Sequence, residues 1–256
     1  MFSMSSFRLD GRVALVTGAG QGLGSAVAQA YAQAGAEVVL LGRTEKYLIE
    51  TAETIQNSGG KSTTVVCDVT DDSHVRREIS SLKRLDILVN NAGTNFPEPF
   101  IDVTDEHLNY MLDLNVRACF VVAQAAVKKM LLSPDLAQVG ASVINMSSQM
   151  GHVGSPNRTV YCMTKHAVEG MTKAMAVELA PQNIRVNSIG PTFSETPMVK
   201  RIVDTPEKRE FVTSRIPLGR LASLEDVAAA AVYLASSAAS MVTGTHLIVD
   251  GGWTAQ

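Results

Sequence analysis

Short apolar runs rich in β-branched residues alternate along this chain with longer alanine-rich stretches. No other feature restricts the possible folds as strongly. RVALVTG (12–18), EVVLLG (37–42), STTVVCDV (62–69), LDILVNNAG (85–93), ASVINMSS (141–148), IRVNSIGP (184–191) and THLIVDGG (245–252) read as strands. Between them, LGSAVAQAYAQAG (23–35) has helical apolar spacing and a terminal glycine. A polar helix runs to about Ser58, and DDSHVRREISSL opens with the acids that suit a helix N-terminus. Further helices are expected over 105–114, 115–132 and 159–180, with two more beyond 191.

Strands of this kind, separated by helices, predict a parallel sheet covered on both faces. About seven of them fit an α/β, doubly wound Rossmann architecture. No repeat, linker or shift in composition divides the sequence, so residues 1–256 read as a single domain. The segment 191–222, irregular and charged, is expected to be a mobile substrate loop.

The 256 residues carry a net charge of −3, with 18% charged residues and no basic stripe, which speaks against nucleic acid as a partner. Three scattered cysteines, Cys67, Cys119 and Cys162, lack metal-ligand spacing and point to a reducing compartment. No secretion signal is evident in MFSMSSFRLDGR, and no apolar run approaches the ~20 residues that span a bilayer. A cytoplasmic protein with no membrane contact and no metal is expected.

TGAGQGLG (17–24) joins the first strand to the first helix. Glycines there permit a tight turn and let backbone amides approach a pyrophosphate at a helix N-terminus. Gly18, Gly22 and Gly24, with Gly20 between them, do not follow the strict GxGxxG pattern, and a plain glycine-rich turn is the bland reading. The second strand ends LLGRT, with Arg43 where an NAD site usually carries an acid. An arginine can pair with a 2′-phosphate, so NADP(H) is expected over NAD(H). A solvated Arg43 is the alternative, and Gln21 adds no second basic anchor.

Tyr161 and Lys165, four apart, share one helix face, and Ser148 lies thirteen positions upstream at a strand end. A free phenol is a poor base at neutral pH, but an ammonium and a nicotinamide cation beside it favour the phenolate. Such a group can take a proton from an alcohol as hydride leaves, or return it to a carbonyl. The pair alone is common on ordinary helices and gains meaning only from the glycine loop.

Taken with CDV (67–69), NNAG (90–93), LNV (114–116), NMSS (145–148), YCMTK (161–165), RVNSIGP (185–191) and IVDGGW (248–253), the chain resembles the shorter, single-domain short-chain dehydrogenases/reductases. The resemblance implies that Tyr161 is the acid/base, that Ser148 polarises the substrate, and that Lys165 also bonds the nicotinamide ribose. It implies that Asn115 holds a water in a proton relay, although a buried asparagine satisfying helix backbone is a compatible reading. Gly18, Gln21, Gly22, Leu23 and Gly24 are implied at the pyrophosphate, and Asp68 with Val69 at the adenine. Asn91, Ala92 and Gly93 are implied at the adenosine ribose, and Pro191 with Thr196 near the carboxamide. A homotetramer is implied, with the apolar stretch 224–236 packed on a neighbouring subunit. Where the family usually reads Pro-Gly, this chain reads Pro191-Thr192, so the loop is expected to run differently.

Arg158, three residues before Tyr161, could hold a substrate carboxylate, with His152 and Met150 as candidate neighbours. A surface or interface arginine is the alternative. PNRTVY and DGGW are similar to hydroxybutyrate- and sugar-acid-dehydrogenase-like members, which implies an anionic substrate, a hydroxy or keto acid or a sugar acid. A 3-ketoacyl-(acyl-carrier-protein) reductase is the second reading, and a non-catalytic dinucleotide-binding regulator a remote one. Cys162 reads as packing and Arg220 as an ion-pair residue.

Overall fold

The apolar runs pair side by side into one parallel sheet in a computed structural model that describes residues 3–256. The strands are β1 (Val13–Thr17), β2 (Glu37–Gly42), β3 (Lys61–Val66), β4 (Ile87–Asn90), β5 (Ala141–Met146), β6 (Ile184–Pro191) and β7 (His246–Val249). Their order is β3-β2-β1-β4-β5-β6-β7. All six pairings are parallel, as the strand–helix alternation predicts. Every residue of β4 and β5 is buried, whereas the edge strand β3 leaves Lys61, Thr63, Thr64 and Val66 exposed.

The helices are α1 (Gly22–Gln33), α2 (Glu45–Asn57), α3 (Asp72–Ser81), α4 (Asp105–Leu112), α5 (Ala118–Met130), α6 (Leu136–Val139), α7 (Thr159–Leu179), α8 (Pro197–Ile202), α9 (Pro206–Thr213) and α10 (Leu224–Ala235). Alternation along the strands divides the core in two. Val16, Val38 and Leu40 pack with α1, α2 and α10, through Val27, Ile55 and Ala231. Leu15, Val39 and Leu41 face the other way, toward Ile79 of α3, Val122 of α5 and Ala176 of α7. Each Val, Leu or Ile so buried contributes about 1.5–3 kcal/mol.

Two expectations need correcting. The helices expected over 105–114 and 115–132 run on as one helical stretch, Asp105–Met130. That stretch is apolar and long enough to cross a membrane by length and composition, contrary to the reading that no run approaches that length, and 61% of its apolar window is buried inside the fold. Its apolar residues are core, covered by α3 and the sheet. The segment 191–222 is also more regular than expected, because Thr196-Pro197 and Thr205-Pro206 start two helices. Each threonine hydroxyl accepts a backbone N–H of the first turn, from Val199 and Lys208, and a proline at the first helical position loses no hydrogen bond.

Candidate active site

The strand order reverses between β1 and β4, and a crevice opens beyond the carboxyl ends of the strands there. A cavity of about 330 Å³ fills it, reaching from Arg43 at one end to Ser148, Tyr161 and Lys165 at the other. The glycine turn forms its floor. Gly22 sits at φ +57°, a conformation costly for residues with a Cβ. Gly24 does not line the cavity. A Cβ there would stand 2.2 Å from the Gly18 carbonyl oxygen, so this glycine lets α1 pack onto the turn.

Gln21 is the N-cap of α1 but makes no capping bond, and no acid lies in the first turn. The first amides therefore remain available to an anion, with the positive end of the helix dipole behind them. Gln21, Gly22 and Leu23 all line the cavity. So do Asn91, Ala92 and Gly93, but the Asn91 amide is spent on bracing. It donates to the carbonyls of Thr17 (2.9 Å) and Gly18 (3.3 Å). The Thr17 hydroxyl accepts the N–H groups of Asn91 and Ala92 at 2.9 and 3.0 Å. That grip holds β4's exit across the end of β1.

At the far end Arg43 lines the cavity with Gly42, Thr44 and Tyr47. Its Nη1 donates to the Tyr110 hydroxyl at 3.2 Å and lies 3.6 Å from Asp68. The Tyr110 bond, ahead of the Asp68 charge, raises the guanidinium above its usual range. Burial opposes ionisation at Asp68, but hydrogen bonds from Thr70 and the Arg43 charge outweigh it and hold the carboxyl low. Val69 lines the cavity.

At the near end, Lys165 is 6% exposed. Its Nζ donates to the Met146 carbonyl at 2.8 Å and lies 5.5 Å from the centre of the Tyr161 ring. Ser148 Oγ accepts the Met150 N–H at 3.1 Å, which leaves the hydroxyl proton free to donate. Asn115 sits in a π-helical turn, Asp113–Arg117, between α4 and α5, where the Ala118 N–H reaches back five residues to Asp113. Such widened turns often accompany functional sites. Both N–H donors of the Asn115 amide are spent, and its oxygen accepts one bond. Its Oδ1 accepts from Thr94 N (2.9 Å), and Nδ2 donates to Thr94 O (2.9 Å) and Thr164 Oγ1 (3.2 Å).

Pro191 and Thr196 line the cavity as expected, with Thr196 packed over Gly22. Asn157 and Asn183 are the non-glycine residues with positive φ among those described, so Thr192 is unstrained, and its N–H donates to Val249 O at 3.1 Å. Its hydroxyl is buried, unpartnered and in the cavity wall. Sequence reasoning saw only a missing glycine there.

A second cavity of about 660 Å³ adjoins the first, the two sharing Thr94 and Met198. Arg158 lines it and is 9% exposed. Its Nη1 donates to the Asn157 carbonyl at 3.0 Å, and its Nε has no partner. Burial pushes the guanidinium below its usual range, partly offset by Tyr161 and Cys162. His152 and Met150 reach neither cavity, which removes them as pocket neighbours of Arg158. Cys162 packs against the Val153 carbonyl, and Arg220 pairs with Asp226 at 2.6 Å, as expected.

The sequence profile of a family described as Enoyl-(Acyl carrier protein) reductase matches residues 18–254. An L-xylulose reductase of Bos taurus is 38% identical, over 97% of this chain and 98% of its own. A 3-oxoacyl-[acyl-carrier-protein] reductase of Thermotoga maritima is also 38% identical, over 96% and 98%. The crystal structure of a gluconate 5-dehydrogenase from Burkholderia cenocepacia, in complex with NADP and tartrate, superposes with a TM-score of 0.92 at 33% identity, covering 98% of each chain. Similarity of this degree over nearly whole chains is that of relatives, and the chain belongs to the short-chain dehydrogenases/reductases as an NAD(P)-dependent oxidoreductase.

Proposed function

We propose that the protein interconverts a secondary alcohol and a ketone on a small carboxylate-bearing molecule, a hydroxy or sugar acid, and prefers NADP(H). The observation that carries the substrate class is Arg158. A guanidinium this buried, with an unpartnered Nε, is costly unless an anion joins it. The cavity around it adds Arg201, Lys208 and Arg215, and no Asp or Glu lines it. A substrate carboxylate there fixes the molecule by charge-assisted bonds.

When bound, the nicotinamide supplies the hydride acceptor or donor. The chain's residues handle the proton. Tyr161 takes the hydroxyl proton of the alcohol, or returns it to the carbonyl oxygen. Ser148 donates its free hydroxyl proton to that same oxygen. The buried Lys165 ammonium lies over the Tyr161 ring, 5.5 Å from its centre. Asn115 fastens Thr94, and with it the cavity wall, to the α4–α5 stretch.

Arg43 supports the NADP(H) preference, since it meets the cavity at the end away from Tyr161 with its side chain 59% exposed. Ile248 on the outer strand β7, Phe120 on α5, and Met163 and Val177 on α7 are exposed apolar residues that suit subunit contacts in a cytoplasmic homotetramer. The second reading, a 3-ketoacyl-(acyl-carrier-protein) reductase, is favoured by the Thermotoga relative and by the same basic cavity.

Steady-state kinetics of Arg158→Ala on sugar acids, short hydroxy acids, neutral ketones and a 3-ketoacyl thioester test the proposal. The expected result is a KM for acids raised about 10–100-fold with kcat nearly unchanged, the loss of about 1.5–3 kcal/mol of charged hydrogen bonding. An unchanged KM for every acid refutes the role of Arg158. Turnover confined to the thioester replaces the reading with the second one.

A further inference from the structure

Behind the catalytic serine lies a cluster that the reaction does not use. His152 follows the 3-10 turn Gln149–Gly151 that Ser148 caps, Glu169 lies one turn beyond Lys165 on α7, and His246 begins β7. One nitrogen or oxygen from each lies within 4.8 Å of the other two. The imidazole rings of His152 and His246 meet edge-on, their centroids 4.0 Å apart.

The inner two side chains are 5% (His246) and 7% (Glu169) exposed. Glu169 Oε2 accepts from Ser188 Oγ at 2.8 Å. Oε1 lies 2.7 Å from His246 Nδ1, which is also 3.1 Å from Ser188 Oγ. His246 Nε2 is buried without a partner. A Cβ at Gly190 would stand 2.1 Å from that nitrogen, so β6 carries no side chain where the ring is seated. Glu169 and His246 are thus held together inside the fold, and His152 stands beside them as a third ligand-type residue.

We propose that His152, Glu169 and His246 bind a divalent transition-metal ion of the zinc class. Two imidazoles and a carboxylate form a donor set suited to zinc and disfavour magnesium and calcium, which take oxygen ligands. Zinc bonds of about 2.0–2.2 Å place tetrahedral ligands roughly 3.3–3.5 Å apart. Reaching that spacing opens the His246–Glu169 contact and re-orients the His152 ring, which sits on an exposed turn. A water completes the fourth position from the solvent side. Binding displaces any proton carried by the ligand nitrogens and oxygens. The ion ties the turn after Ser148, helix α7 and the last strand together, and so fixes the serine relative to Tyr161 without touching the substrate.

The test uses the full-length enzyme stripped with a chelator, then titrated with Zn2+ alone by calorimetry and with Co2+ by visible absorption. The expected result is one ion per chain, the d–d bands of four-coordinate Co2+, and a Tm that rises with Zn2+. His152→Ala, at an exposed position, weakens Zn2+ binding at least tenfold and abolishes the Co2+ bands. His246→Gln does the same where it folds. His74→Ala, which removes the surface His74–Glu78 pair, leaves binding unchanged. Binding that survives His152→Ala, or the absence of stoichiometric binding in the wild type, overturns the assignment. Neither result depends on the substrate proposed above.

Discussion

Replacing Asn115 tests whether the π turn is held by its side chain. The three bonds of its amide all end on residues distant in sequence: two on the backbone of Thr94 and one on the Thr164 hydroxyl. Each net bond is worth about 0.5–1.5 kcal/mol, so Asn115→Ala is expected to cost about 3 kcal/mol. For a chain of this size that lowers Tm by roughly 6–12 °C. Asn115→Leu removes the same bonds while keeping the branched outline of the side chain, and is expected to match the alanine variant to within about 1 kcal/mol. Urea unfolding with a constant m-value and calorimetry in parallel would read both. Activity falls in both variants, because Thr94 and Gly93 line the cavity beside Lys165. A leucine variant as stable as the wild type refutes the hydrogen-bond account and leaves packing as the role of the side chain. Wild-type Tm in both variants with kcat abolished would instead place the amide in the chemistry itself.

Gly42→Asp puts a carboxylate beside Arg43 at the cavity's far end and is expected to lower the NADP/NAD ratio of kcat/KM at least tenfold; an unchanged ratio removes the neighbourhood of Arg43 as the discriminator. The Asp226 carboxyl is held down to about 2, first by the Arg220 hydrogen bond and then by Ser223. A depressed folded-state value stabilises above the unfolded carboxylate range and loses that contribution as pH falls from about 4 toward about 2. Because the pair is partly exposed, the contribution is below about 1 kcal/mol. Asp226→Asn is expected to lower Tm by a few degrees at pH 7, and the gap to the wild type to narrow below pH 4. A gap that is constant with pH contradicts the linkage.

The sheet and the Tyr161–Lys165 pair were legible in the sequence because both follow from local periodicity: apolar strands between helices, and two residues one turn apart. The two helices inside 191–222 were also written locally, as Thr-Pro pairs at 196–197 and 205–206, but the charges around them obscured the signal. The π turn had no local signature. The Asn115 amide within it bonds Thr94 and Thr164, which lie 21 and 49 residues away. The same holds for Thr17, whose hydroxyl holds Asn91 and Ala92 across more than seventy residues. His152, Glu169 and His246 have no ligand spacing, since their meeting depends on β7 pairing with β6.

These long-range polar contacts share one consequence for α7. Apolar packing fixes a helix on a sheet through shape alone, and a shift of one residue would turn Tyr161 out of the cavity. The face α7 turns to the sheet is polar at three successive turns: Lys165, Glu169 and Thr172, all buried. Lys165 is fixed to the Met146 carbonyl and Glu169 to Ser188. The Thr172 hydroxyl accepts from the Asn145 amide, whose oxygen accepts from Asn90, which also bonds the Cys119 carbonyl of α5. Each link has a required partner, so any other register of α7 strands several buried polar groups at once, at about 1–3 kcal/mol each. The polar interior therefore does more for the position of Tyr161 than for the bulk stability that the surrounding aliphatic residues already supply.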